Sequence, residues 1–144
     1  MALDPKVWGP HYWFVLHTIA LTYPLYPNET IKKKYYDLIQ NFPLFIPIEN
    51  MGNSFSRLLD KYPVIPYLDS RESFIKWISF IHNKVNISLD IPEKTLEETL
   101  HTYYKLYEPK ELIIQTEREK YKKYMQLTIL ASLLIIGGIL YRKS

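Results

Sequence analysis

Ten prolines against four glycines cut most of this chain into lengths that suit one element, the short helix. Proline locks φ, has no N–H and breaks a helix interior, so each one marks where a helix begins or stops. Between those marks apolar residues recur three and four positions apart, and no stretch alternates strongly in the manner of a strand. The first piece runs from Trp8 to about Tyr23 and stops at Pro24. Asn28 caps a second piece with Ile31, Tyr35, Leu38 and Phe42 on one face and Pro43 at its end. After the extended PLFIPI a third carries Met51, Phe55, Leu58 and Leu59 to Pro63. Asp69 and Glu72 are spaced as a capping box for a fourth, DSRESFIKWISFIHNKVN, which turns Phe74, Trp77 or Ile78, Ile81 and Val85 inward. Pro92 suits the first turn of a fifth, with Leu96, Leu100, Tyr103 and Tyr107 as its apolar side. The pattern predicts an all-α chain whose first part is a four- to five-helix bundle.

The last segment differs from the rest. Residues 124–141 read YMQLTILASLLIIGGILY without a charge, with Arg118, Lys120, Lys122 and Lys123 before them and Arg142 and Lys143 after. A run of about 17 to 25 apolar residues spans a bilayer as a helix, and tyrosines and lysines suit its two interfaces. The expectation is therefore a single C-terminal transmembrane helix over 124–141, a basic connector over 109–123 and a helical domain over 1–108. The N-terminus, MALDPKVWGP, has no apolar signal region. More positive charge before the anchor than after it places the domain on the cytosolic side of a single-pass membrane protein.

Composition excludes several functions. The 144 residues are about one domain's worth, and 47% hydrophobic with 15% aromatic content rules out a disordered tail. A net charge of +3, with lysines in local clusters, gives little support to nucleic-acid binding. No cysteine is present, so the chain has no disulfide, thiolate metal site or thiol nucleophile. His11, His17, His82 and His101 are too scattered to suggest zinc.

Two segments concentrate unusual side chains. WGPHYWFVLH, Trp8 to His17, holds two indoles and two imidazoles, with Trp13 and His17 one turn apart on a common face. HNKVN, His82 to Asn86, puts a ring and an amide on one face near a helix end. Alone, the first fits either core packing or the wall of a pocket for a flat ligand, and the second fits capping and solvent contacts better than a ligand site.

Together, WGxxxWxxLH and, about sixty-five residues later, HNxVN resemble the paired flavin-binding motifs of the Erv/ALR sulfhydryl oxidase family. Tyr23-Pro24, the YPV of Tyr62 to Val64 and the FxxW of Phe74 to Trp77 extend the likeness over roughly Trp8 to Leu89. The resemblance implies a small helical bundle that cradles FAD and oxidises thiols to disulfides. Carried over by position, it implies Trp8, Trp13, His17 and Tyr23 on one side of the flavin. His82, Asn83, Val85 and Asn86 would line the other, with Lys84 and Leu89 peripheral. It further implies a homodimer paired through the first helices, and a likeness to members encoded by large DNA viruses, hence a viral or host internal membrane.

The family's redox CxxC aligns with Ile48 and Met51 in FPLFIPIENMGNSF, at the start of a helix. Isoleucine has no lone pair, and a thioether neither ionises nor closes a disulfide, so thiol exchange through this chain alone is excluded. Ser54, where many members carry histidine, and Pro10, where many carry arginine, are further departures. Three readings follow. One is a membrane-anchored FAD protein that has lost dithiol oxidation and works with an active oxidase relative. Another is a flavin-linked thiol oxidase fed by a partner's cysteines over Ile48 and Met51. The last is a cofactor-free interaction module using 92–107.

Overall fold

The computed structural model describes residues 3–143; the side chains of 110, 112, 113, 139, 140 and 143 lie outside that description. Six α-helices and two 3-10 turns form, with no strand among the described residues. Helix α1 is Pro5–Leu21, α2 Glu29–Asn41, α3 Glu49–Lys61, α4 Arg71–Ser88, α5 Leu96–Lys105 and α6 Lys110–Lys143. The chain divides into two units, Met1–Tyr103 and Tyr104–Ser144.

Helix α1 starts three residues before Trp8. Asp4 accepts the Lys6 N–H at 2.9 Å and Pro5 occupies the first turn, a cap followed by a residue whose missing N–H costs nothing there. Asn28 caps α2 through the Ile31 N–H at 2.9 Å. Its inward stripe is Ile31, Tyr35 and Ile39; Leu38 is 39% exposed while Ile39 is 2% exposed. Tyr36, one step from Tyr35, also packs against the core, so the buried face of α2 turns toward Tyr36 and Ile39 and away from Leu38.

Helix α4 is the centre of the first unit. Phe74, Trp77, Ile78 and Ile81 are all buried, so Trp77 and Ile78 both point inward where the sequence left one or the other. Its cap is Ser70, whose Oγ accepts the Ser73 N–H at 3.1 Å, rather than Asp69. Asp69 is instead paired with Lys32 of α2 at 2.8 Å. Trp77 donates to the Tyr62 carbonyl at 3.2 Å, and Tyr23 to the Leu68 carbonyl at 2.7 Å, satisfying the polar ends of two buried rings. Helix α5 begins after Thr95. There the Glu98 N–H donates to Thr95 Oγ1 at 3.1 Å, and the Thr95 N–H to Glu98 Oε2 at 2.7 Å, a reciprocal capping box. Pro92 therefore precedes the helix instead of entering its first turn.

One close approach was not foreseen. A Cβ at Gly52 would lie 2.7 Å from the Pro43 carbonyl oxygen, so only glycine lets α3 sit against the 3-10 turn Phe42–Phe45.

In the second unit, α6 is a single helix of 34 residues. Its first half carries the ion pairs Glu117–Lys120 and Glu119–Lys122, at 2.9 and 3.0 Å. Among the described residues no helix is long and apolar enough to cross a membrane. This corrects the transmembrane helix expected over 124–141 and, with it, the single-pass membrane placement with a cytosolic domain. The run is interrupted by the polar residues Gln126, Thr128 and Ser132.

Candidate functional site

Three helices present side chains to one cleft of about 480 Å³ in the first unit. From α1 come Pro5, Trp8, Gly9, Tyr12, Trp13 and Leu16, spaced as one helical face. Helix α3 contributes Asn50, Met51, Ser54, Phe55 and Leu58 with the same periodicity, and the end of α4 contributes Lys84, Val85, Ser88 and Leu89. Phe42 and Ile46 close the floor beside the 3-10 turn. The volume is in the range of small-molecule sites, and the walls are mostly aromatic and aliphatic with a few polar groups, as such sites usually are.

The wall has internal support. The Trp13 indole lies flat on the His82 ring, centroids 4.0 Å apart and planes 9° from parallel, and meets the Phe55 ring edge to face at 6.1 Å. Behind it, His17 Nε2 is 3.0 Å from His82 Nδ1. Burial pushes the His17 pKa down to about 4. Burial first, then the His17 and Lys94 charges, push that of His82 down to about 3. Both rings are therefore neutral at pH 7, with a proton on one of the two facing nitrogens. Tyr12 donates to the Phe45 carbonyl at 2.8 Å, and its ring meets Trp8 at 5.1 Å, which ties the α1 face to the 3-10 turn. Trp8 Nε1 is buried with no hydrogen-bond partner among the described residues. A buried N–H at a cleft wall is costly unless a ligand acceptor meets it.

Of the residues singled out in the two motifs and the aligned CxxC segment, Trp8, Trp13, Val85, Lys84, Leu89, Met51 and Ser54 line the cleft. His17 and His82 stand behind its Trp13 wall. Tyr23 does not reach the cleft: it is fully buried among Tyr35 and Phe74. Asn83 faces the segment after α4, and Asn86 is buried, its carbonyl accepting the Leu89 and Ile91 N–H groups. Ile48 is the residue before the first turn of α3, and its carbonyl accepts the Met51 and Gly52 N–H groups, each at 3.0 Å. Gly9, Tyr12 and Leu16 were missed, although three- and four-residue steps from Trp8 and Trp13 point to them. Asn50 had no such signal, since its place depends on how the Gly52 contact seats α3, and Phe42 was legible only as an apolar residue at the end of the second helix. Among the described residues no group of three or more His, Asp or Glu side chains converges as a metal site would require.

Residues 10–105 match the Erv1 / Alr family. The chain is 32% identical over 109 residues to a "Probable FAD-linked sulfhydryl oxidase" of Acanthamoeba polyphaga mimivirus, covering 75% of this chain and 76% of that protein. It is 33% identical over 84 residues to the mitochondrial FAD-linked sulfhydryl oxidase erv1 of Schizosaccharomyces pombe, covering 58% of this chain and 46% of that one. The crystal structure of the FAD-binding domain of Erv1 from Saccharomyces cerevisiae has a TM-score of 0.63 at 25% identity, over 72% of this chain and 93% of that one.

Proposed function

Because the chain belongs to the Erv1/Alr family, we propose that it holds FAD in the cleft between α1, α3 and α4 and has lost dithiol oxidation. The observation that carries this is one cleft walled by Trp8 and Trp13, in which Met51 stands where the family pattern expects sulfur able to ionise. The cleft suits the group: flat rings line it, and the unpartnered Trp8 Nε1 offers a donor to an acceptor atom of a ligand. When bound, a flavin supplies a two-electron acceptor.

The roles of the chain's own residues follow from their positions. Trp8, Trp13 and Val85 face the cofactor and keep water from it, and Lys84 offers a cation at the rim. His82 holds the Trp13 ring from behind, and His17 holds His82 by the shared hydrogen. Tyr23 and Asn86 keep the frame in which these helices meet. Ile48 and Met51 fill the helix start with hydrocarbon and thioether, neither of which forms a thiolate. A chain of this kind acts as a flavin-bearing binding partner, as a homodimer or with an active oxidase or other thiol-containing protein.

The test is the visible absorption spectrum of the purified full chain, followed by peroxide measurement with a reduced dithiol in air. A yellow protein with flavin absorbance and no sustained peroxide production is expected. Sustained turnover would instead favour an oxidase reduced directly by external thiols. A colourless chain that takes up no added FAD would leave only a cofactor-free interaction module.

A further inference from the structure

The carboxamide of Asn83 is engaged by main chain. Its Nδ2 donates to the Lys94 carbonyl at 2.7 Å, and its Oδ1 accepts the Lys94 N–H at 3.0 Å. One side chain thus satisfies both backbone groups of one residue, the exchange that two paired strand residues make. Its neighbours on α4 hold the same segment. Lys84 pairs with Glu93 at 3.9 Å, and the Asn86 carbonyl accepts the Ile91 N–H at 2.9 Å. Between them Asp90 takes a left-handed backbone at φ 56°, which turns the chain back along the helix it has just left.

Lys94 immediately precedes Thr95, the cap of α5, so this grip determines where α5 begins. Helix α5 then meets α1 through Tyr103, whose hydroxyl lies 2.8 Å from Thr18 Oγ1 and whose ring stacks on Phe14 with centroids 5.2 Å apart. On either side of Asn83 stand His82, behind the Trp13 wall, and Lys84, on the cleft rim.

We propose that Asn83 is a positioning residue: it fastens the 91–95 segment to the end of α4 and so keeps His82 and Lys84 in place at the cleft, without touching the cofactor itself. Its role toward the cleft rests on the flavin reading; the clamp does not. Both amide heteroatoms of Asn83 are already engaged with Lys94, and the residue is absent from the cleft lining. An aspartate keeps the acceptor but sets an oxygen against the Lys94 carbonyl, and an alanine keeps neither bond.

The experiment follows amide hydrogen exchange and FAD titration in the full chain and its Asn83→Ala and Asn83→Asp variants. Asn83→Ala should speed exchange of the Lys94 amide about tenfold, the worth of an ordinary hydrogen bond, leave the Trp77 amide unchanged, and weaken FAD binding several-fold without abolishing it. Asn83→Asp should retain most of the Lys94 protection, and it carries the test should the alanine variant not fold. Unchanged Lys94 exchange in Asn83→Ala overturns the clamp. Complete loss of FAD binding in Asn83→Asp with Lys94 still protected overturns it too, making Asn83 a direct ligand. If the unaltered chain takes up no FAD, the flavin reading fails, and the exchange measurements still decide the clamp.

Discussion

Nε2 of His17 and Nδ1 of His82 lie 3.0 Å apart, so two rings from distant parts of the chain share a hydrogen behind the cleft wall. The pair joins the two motifs directly, α1 to α4. The fold requires both rings neutral because burial disfavours either imidazolium, and with both protonated two donors would face each other at the contact.

That requirement makes stability depend on pH. In the unfolded chain both histidines titrate near the ordinary value of 6.5, while in the fold they are lowered to about 4 and about 3. On acidification the unfolded state takes up protons first, so the contribution is complete above about pH 6.5 and is lost as the pH falls through 4 and then 3. Thermal unfolding at pH 4.5 should occur roughly 10 °C below that at pH 7.5. His82→Phe should flatten that dependence; an unchanged slope in the variant would remove the pair as its cause.

Tyr23 separates frame from site. Its hydroxyl donates to the Leu68 carbonyl at 2.7 Å inside the core, away from the cleft. Tyr23→Phe leaves that carbonyl unpaired and should cost about 1 to 3 kcal/mol in urea unfolding, with FAD affinity unchanged. A selective loss of flavin would place the ring at the cofactor after all.

Two glycines should respond in opposite directions. Gly52→Ala forces a methyl to within 2.7 Å of a backbone oxygen and should lower stability by about 1 to 3 kcal/mol despite alanine's better helix propensity. A Cβ at Gly9 meets nothing within 4 Å, so Gly9→Ala should raise stability by up to about 1 kcal/mol. Chemical denaturation midpoints of the two variants decide this directly.

Restoring sulfur tests the proposed loss of chemistry. Ile48 and Met51 stand at the cap and in the first turn of α3, where backbone N–H groups favour a thiolate. Ile48→Cys with Met51→Cys should give dithiol-dependent peroxide production well above that of the unaltered chain. FAD bound without any turnover would mean that the flavin does not reach α3.

Trp13→Ala removes the ring stacked on His82 and should release FAD before helix content falls, as seen by circular dichroism against flavin fluorescence. Simultaneous loss of both would assign Trp13 to the core alone.

Short-range rules accounted for much of this protein. Proline placement, the Asn28 cap and the three- and four-residue apolar intervals are local, and the helices follow from them. The two motifs were also readable, because Trp8, Trp13 and Val85 lie on helix faces that a period of 3.6 defines. Caps were less so: Asp69 and Ser70 both suit the start of α4, and the choice fell to Ser70 because Lys32 of α2 holds Asp69. The apolar run over 124–141 was the least reliable guide, since composition alone said nothing of the continuous helix that contains it. What the sequence determined by itself was the set of helices and the faces they carry. Which faces meet was decided only in three dimensions. Seating α3 on the Pro43 carbonyl, burying Tyr23 away from the cleft and turning Asn83 toward Lys94 each depend on contacts between different elements, which the pattern within any one helix does not encode.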